Sequence, residues 1–311
     1  MMHRLVTRSD FDGLVCAMLL KEAGLVDEIA LVHPKDVQDG NVEIRPTDIT
    51  TNLPYRPEAH LVFDHHASEV LRTGGAQVSN YVMDPEAPSA ARVVYGYLGG
   101  AARFARVSPE LVEAADKADS AQFDISDITE PAGWVLLNFI MDPRTGLGRF
   151  HDFRVSNYEL MMKLIDYCVN HDVDDVLRLP DVAERVDLYW QQAGLFRDQL
   201  LRCTTLFGEV AVLDLRDEET IYAGNRFMIY ALFPSSTVSV HVIWGRQKQN
   251  TVLAVGKSIL DRSNPVDVGA LMLHYGGGGH HAAGTCQLAH DVADGALAEI
   301  IAALNPAHVG H

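Results

Sequence analysis

The chain reads as an α/β protein: a mainly parallel N-terminal sheet with helices on both faces, a helical connector, and a smaller C-terminal α+β domain. Three observations predict this. Over residues 1–125, short apolar strand-like runs alternate with segments of helical spacing, which is the pattern of a parallel sheet with crossover helices. From about 126 to 205 the helical period continues with few strand signals between its segments. After Gly208 the β pattern returns in close succession. The expected domains are therefore 1–125, 126–205 and 206–311, and a chain of 311 residues is long enough for more than one core.

Each element has a local reason. Residues 3–7 are a short apolar strand, and GLVCAMLLKEA at 13–23 has helical spacing. Residues 28–33 give a second strand, 41–46 a weaker third and 60–63 a fourth. The segment 89–98 reads as a helix behind the start signal Pro88-Ser89, and 109–117 as another. In the connector, 158–171 and 182–201 carry apolar residues at helical spacing. Beyond it, 210–215, 227–233, 238–244 and 251–256 read as strands. A helix at 266–275, the run Gly276-Gly277-Gly278-Gly279 and a last helix at 292–304 complete the chain, with no internal repeat and no low-complexity tract.

Composition excludes several classes. Apolar residues make up 48% and charged residues 22%, as in ordinary soluble domains. No apolar run approaches the roughly 18 residues of a membrane span. The first residues enter a strand without the apolar core of a signal peptide, so a cytoplasmic protein with no membrane partner is expected. Cys16, Cys168, Cys203 and Cys286 form no C-x-x-C pair, which argues against a zinc knuckle or a disulfide framework and fits a reducing compartment. The net charge of −17 opposes binding of long duplex nucleic acid, whose affinity comes from basic residues neutralising phosphates. A short anionic substrate in a locally positive pocket remains open. The sequence is compatible with a homodimer but does not fix the oligomeric state.

The placement of acids carries the functional signal. Asp10 and Asp12 follow the first strand, Asp48 the expected third, and Asp64-His65-His66 the fourth. Functional groups of open parallel sheets gather outside the carboxyl ends of the strands. These acids are therefore expected to converge at one sheet edge. Each has a plain alternative: Asp-x-Asp before a helix is often a cap, a His-His pair a satisfied polar corner, and Asp119 an ordinary surface acid. Converging carboxylates raise one another's pKa unless cations sit among them, and oxygen plus imidazole donors suit Mn²⁺ or Mg²⁺. Two ions bridged by a shared aspartate would place a hydroxide in line with phosphorus.

These residues resemble the DHH phosphoesterases. Phe63-Asp64-His65-His66 is similar to the family signature, Ser9-Asp10-Phe11-Asp12-Gly13 to its first motif, Asp48 to its second and Ala118-Asp119-Ser120 to its fourth. Tyr275-Gly276-Gly277-Gly278-Gly279-His280-His281-Ala282-Ala283-Gly284 resembles the signature of the DHH-associated C-terminal domain. The likeness runs from residue 4 to about 290. It implies two lobes closing over a cleft, usually with Mn²⁺ on the first. It further implies Asp10, Asp12, Asp48, His65 and Asp119 as metal ligands, with Asp48 bridging. Asp64 would ligate or orient, and His66 would touch the substrate phosphate or protonate the leaving oxygen. The implied activity is metal-dependent hydrolysis of phosphoester or phosphoanhydride bonds in small phosphorylated molecules or short oligonucleotides, by a metal-activated hydroxide with one or two Mn²⁺ (Mg²⁺ the alternative). An exopolyphosphatase is the rival within that chemistry, and a non-catalytic nucleotide-binding sensor the rival outside it.

One position departs from the family. Two residues before Asp10, where a His or Asp ligand is usual, stands Arg8, which cannot ligate a cation. Arg8 either supplies positive charge where a second ion would sit, gripping phosphate, or turns outward to a surface acid. In the C-terminal domain, Gly277, Gly278 and Gly279 remove side chains so that backbone N–H groups can approach an anion. Lys257, Arg262, His280 and His281 add donors, so the set reads as a phosphate clamp.

Overall fold

A computed structural model of the chain describes residues 2–66 and 78–305. Residues 1, 67–77 and 306–311 of the expected domains lie outside the described residues. The chain forms two compact units, each built on its own sheet.

In the first unit β1 (His3–Arg8), β2 (Val26–Val32), β3 (Asp48–Thr51), β4 (Leu61–Asp64) and β5 (Tyr81–Met83) form a parallel sheet in the order β2-β1-β3-β4-β5. This is the expected α/β arrangement. The helix Phe11–Glu22 follows β1 at once because Asp10 caps it, accepting from the Gly13 N–H at 2.9 Å. Its residues from Phe11 to Leu20 are all buried, so its all-round apolar character suits an internal helix better than an amphipathic one. Gly13 is required for this tight strand-to-helix step: a Cβ there would lie 2.1 Å from the Arg8 carbonyl oxygen. Helices Ala90–Tyr97 and Pro109–Asp119 pack against it.

The third strand differs from expectation. Residues 41–46 are irregular and β3 begins at Asp48. Pro46 cannot donate to a ladder, whereas Asp48, Ile49, Thr50 and Thr51 are all buried. Asp48 therefore starts the strand and does not follow it. It sits opposite Arg4 in the β1–β3 register, at the amino end of the sheet. Four residue steps separate it from Asn52, about 13 Å at the usual rise. Its buried carboxylate accepts from Arg4 Nε at 3.1 Å, from Arg4 Nη2 at 2.5 Å and from the Arg45 N–H at 2.8 Å. Asp48 is a structural clasp between two strands, and the structure does not bring it to the other acids.

The second unit holds β6 (Thr204–Phe207), β7 (Val210–Asp214), β8 (Val238–Trp244), β9 (Thr251–Lys257), β10 (Gly278–His280) and β11 (Ala283–Leu288) in the order β10-β11-β9-β8-β7-β6. The β7–β8 pair is parallel and the others antiparallel. Val238, Val240, Val242, Leu253 and Val255 alternate into a core closed by Val268 and Met272 of helix Val268–His274 and by Ile300 and Leu304 of helix His290–Leu304. The segment 227–233, expected as a strand, contains instead the helix Met228–Leu232. In the turn before it Asn225 Oδ1 accepts from the Phe227 N–H at 2.9 Å, and Tyr230 anchors the helix through Ser239 and the Gly256 carbonyl.

Between β5 and β6 the regular elements among the described residues are all helices, including Gly133–Met141, Asn157–Tyr167, Val173–Arg178 and Pro180–Cys203. The first unit takes in Pro131–Pro143 and Leu147–Leu188, and the second Phe123–Glu130 and the chain from Tyr189 on. Among the described residues no helix is long and apolar enough to cross a membrane.

The Asp48 clasp has a measurable consequence. Asp48→Ala leaves Arg4 uncompensated and is expected to cost about 3 kcal/mol of stability, read as a lowered urea midpoint. The affinity for Mn²⁺ should stay within about twofold of wild type. Lost metal affinity at unchanged stability would return Asp48 to the ligand set.

Candidate active site

The carboxyl edge of the first sheet collects the candidate residues. Asp12 comes from the first turn of helix Phe11–Glu22, His65 from the segment leaving β4, and Asp119 from the last residue of helix Pro109–Asp119. Each offers one donor atom, and these atoms lie within 4.8 Å of one another. Asp12 is almost wholly buried. Its Oδ1 accepts from the Ala91 N–H at 2.8 Å and its Oδ2 from Asn52 Nδ2 at 2.7 Å and the Ala90 N–H at 3.3 Å. The amides belong to the first turn of helix Ala90–Tyr97, where the helix dipole favours a negative partner. Even so, burial, and after it the charges of Asp119 and Asp10, push the Asp12 carboxyl well above the usual carboxylate range.

His65 is oriented for ligation. Its Nδ1 lies 3.1 Å from the Ala87 carbonyl oxygen, which only accepts, so Nδ1 carries the hydrogen and the neutral ring has its lone pair on Nε2. Nε2 is buried and lies 2.8 Å from Asp119 Oδ2, yet no hydrogen bond aligns with it. Two ligands facing a common cation would sit this way. Burial draws the His65 pKa down, but the closeness and charge of Asp119 and the charge of Asp12 outweigh it and raise the pKa to about 9. Asp119 also ends a helix, at the negative pole of its dipole, where a carboxylate gains from an added positive charge.

Beside this cluster lies a second group. Arg8, the last residue of β1, places Nε 2.9 Å from Asp10 Oδ2 and Nη1 3.4 Å from Asn52 Oδ1. Arg8 turns inward along the site. Asp10 is divided between this guanidinium and its own helix cap. Asn52, just past β3, is buried and has φ 54°, a left-handed conformation that asparagine tolerates better than most residues.

Asp64 takes an orienting part. It is fully buried, and its Oδ1 accepts from the backbone N–H groups of His65 and His66 and from His66 Nδ1 at 2.7 Å. Tyr81 Oη donates to its Oδ2 at 3.2 Å. His66 is thereby held with Nδ1 inward and Nε2 outward, on a side chain 41% exposed.

In the second unit Lys257 Nζ donates to the Asn264 carbonyl at 2.9 Å and lies 2.9 Å from His281 Nε2. His281 Nδ1 is 3.7 Å from Asp267, the N-cap of helix Val268–His274. Burial lowers the Lys257 pKa, partly offset by Asp267. The glycine run is not a bare loop: Gly278 and Gly279 form β10 with His280. A Cβ on Gly277 would lie 2.0 Å from the Thr285 oxygen, and one on Gly279 2.3 Å from the Ala283 oxygen, so these two glycines serve packing against β11. Gly278 alone of the three has open space where a side chain would be. Arg262 lies beyond β9 with Nε 3.4 Å from the Ile259 carbonyl, and His280 Nδ1 accepts from the Ala282 N–H.

Sequence reasoning missed Asn52, Tyr81 and the pair Ser89–Asp116. Ser89 caps helix Ala90–Tyr97 and donates to Asp116 at 2.6 Å, while Arg92 Nε donates to the same carboxylate at 2.8 Å. This joins the helix that holds Asp12 to the helix that carries Asp119. The signal available was spacing: Asp116 precedes Asp119 by one turn, and Pro88-Ser89 marked the helix start.

The donor set fits a divalent cation. Two carboxylates and an imidazole with an unsatisfied buried Nε2 are the ligands Mn²⁺ accepts, and the three atoms are close enough to share one ion.

Comparison with known proteins places the chain. No family model matches it, and no curated protein matches it. Among solved structures it is similar to the pGpG-specific phosphodiesterase PggH from Vibrio cholerae, with 54% sequence identity and a TM-score of 0.86 over 97% of this chain and 99% of that one. CDC45 from Entamoeba histolytica shares the fold alone, at 8% identity and a TM-score of 0.54 over 98% of this chain and 95% of that one.

The raised pKa values fix the sign of the pH dependence. In the folded, metal-free chain His65 keeps its proton until about pH 9, whereas an unfolded histidine releases it near 6.5. The stability gained is therefore complete below about pH 6.5 and is lost as pH rises through about 9. Metal must displace the proton on His65, so Mn²⁺ affinity should rise by up to about tenfold per pH unit below about pH 9. Calorimetry in buffers of different ionisation enthalpy should detect that release near pH 7. A Mn²⁺ affinity flat from pH 6 to 8.5 would refute the assignment.

Proposed function

The chain belongs to the DHH phosphoesterase family, and from that premise we propose that it hydrolyses the phosphodiester bond of short linear oligonucleotides, with pGpG as the substrate of choice. The observation that carries this reading is the convergence of Asp12, His65 and Asp119 beside a positioned His66, in a chain 54% identical to a phosphodiesterase over almost its whole length.

Asp12, His65 and Asp119 are assigned as ligands to Mn²⁺, with Mg²⁺ the alternative. A divalent ion held there supplies Lewis acidity toward a phosphoryl oxygen and lowers the pKa of water. The chain's own residues do the rest. Asp64 fixes His66 so that its outer nitrogen meets the leaving oxygen and gives it a proton as the P–O bond breaks. The water oxygen ends on phosphorus, and pGpG yields two mononucleotides. Lys257, Arg262, His280, His281 and the backbone at Gly277, Gly278 and Gly279 are assigned to grip substrate phosphate. The four cysteines are unpaired, which supports work in a reducing compartment such as the cytoplasm.

The test is a Mn²⁺-supplemented screen of pGpG, a cyclic dinucleotide, longer oligonucleotides, a nucleoside 3′,5′-bisphosphate and polyphosphate. The highest kcat/KM is expected on pGpG. Asp12→Ala should abolish turnover, His66→Ala should lower kcat by about 10²-fold or more, and Lys257→Ala should mainly raise KM. Fastest hydrolysis of polyphosphate would make the protein an exopolyphosphatase. Binding of pGpG without turnover would make it a nucleotide sensor.

A further inference from the structure

We propose that this centre is built for a single divalent ion, and that the Arg8 guanidinium occupies the place of a second cation and grips a phosphate of the substrate. The inference rests on the phosphodiesterase reading for its substrate but stands on geometry for its metal count.

Two-ion centres hold their cations roughly 3.5–4 Å apart and need anionic oxygen for both, often through a shared carboxylate. Among the described residues one group of candidate ligands converges, Asp12 with His65 and Asp119, and three protein ligands with open positions describe one ion. The strand end that faces Asp12 from β3 carries Asn52, a neutral amide. Its two ends are fixed by its neighbours, since Nδ2 donates to the Asp12 carboxylate at 2.7 Å and Oδ1 accepts from Arg8 Nη1 at 3.4 Å. The amide thus turns its donor end toward the metal cluster and its oxygen toward the guanidinium. Asp10, the remaining acid at this edge, holds the Gly13 N–H and Arg8 Nε, both at 2.9 Å. Asp48 is at the other end of its strand, tied to Arg4.

Charge leads to the same assignment. Asp10, Asp12 and Asp119 are balanced by one divalent ion and one guanidinium, while Asp64 is held by the backbone N–H groups of His65 and His66, by His66 Nδ1 and by Tyr81 Oη. A second divalent ion beside Arg8 would meet a permanent positive charge one side chain away. Arg8 is held at its inner edge by Asp10 and Asn52, and its side chain is 32% exposed. A guanidinium has five donors, and its fork matches two phosphate oxygens at once. It therefore offers the charge neutralisation of a cation with none of its ability to generate hydroxide. Arg8 is a substrate-binding residue in this assignment.

The experiment counts ions. Wild-type protein dialysed against Mn²⁺ is expected to hold one ion per chain, with the isolated hyperfine sextet of Mn²⁺ in its low-temperature EPR spectrum. The double variant Arg8→His with Asn52→Asp should gain a second ion and the spectrum of a coupled pair. Arg8→Ala should leave the first ion's affinity within about twofold and raise KM for pGpG about tenfold or more. Two coupled ions in the wild type would overturn the proposal. So would a folded double variant, checked by circular dichroism, that still binds one ion. Binding of no ion at all would instead remove the phosphodiesterase reading, and one ion without pGpG turnover would remove that reading while the metal count stands.

Discussion

A carboxylate almost without water, Asp12, is the demand around which the first unit is arranged. An uncompensated buried charge costs several kcal/mol, so the fold must supply partners or a proton. It supplies the opening amides of helix Ala90–Tyr97, the amide of Asn52 and, more distantly, the Cys16 thiol at 4.0 Å. These do not bring the carboxyl to an ordinary pKa, because burial and the neighbouring acids prevail. The group is left in need of a cation, which is the condition a metal ligand should meet in the metal-free state. The surroundings are rigid for the same reason. Ser89 and Arg92 lock onto Asp116, so the helix whose start holds Asp12 and the helix whose end presents Asp119 keep a fixed separation.

Much of this was legible in the residues. Asp12 and the Asp64-His65-His66 run were placed at the right edge because each directly follows a strongly apolar strand, and in a parallel sheet every strand points the same way. The sequence puts Asp48 at the wrong end because the weak pattern at 41–46 reads as a strand, whereas DITT forms it. A shift of one strand length moved the acid from one end of the sheet to the other. Asn52 was invisible for a related reason: in TTNLP it looks like a turn residue, and its left-handed backbone is indeed turn-like. Its importance comes from register alone, since Thr50 and Thr51 pair with Val62 and Phe63 and so bring Asn52 level with Asp64.

The second unit shows where periodicity fails. RFMIYALF is a short apolar run, and such a run is equally a buried strand or a buried helix until its caps are known. Here it is a helix with no side-chain cap, preceded by a turn in which Asn225 Oδ1 accepts from the Phe227 N–H. The glycine run misled differently. Four glycines suggested open backbone for an anion, but Gly277 and Gly279 are needed for contact with β11. Among the neighbouring donors, Lys257 and His281 are bonded to each other. Lys257 on a partly dry stem, with His281 as acceptor and Asp267 behind it, is a cation held ready in one position.

The number of such cations bears on the kind of substrate. A chain with 42 acidic and 25 basic residues repels extended polyanions, and attraction must come from a few side chains placed locally. Candidate phosphate contacts with permanent positive charge are Arg8, Lys257 and Arg262. A polyphosphate or a long single strand gains affinity with every further phosphate it can neutralise, and an acidic surface gives nothing to those beyond the first few. A linear dinucleotide has few phosphates and leaves none to be repelled. The composition thus opposes processive work on polymers by the same electrostatics that make a guanidinium useful at the metal edge: positive charge is scarce, so each cationic side chain must be fixed where a phosphate will be.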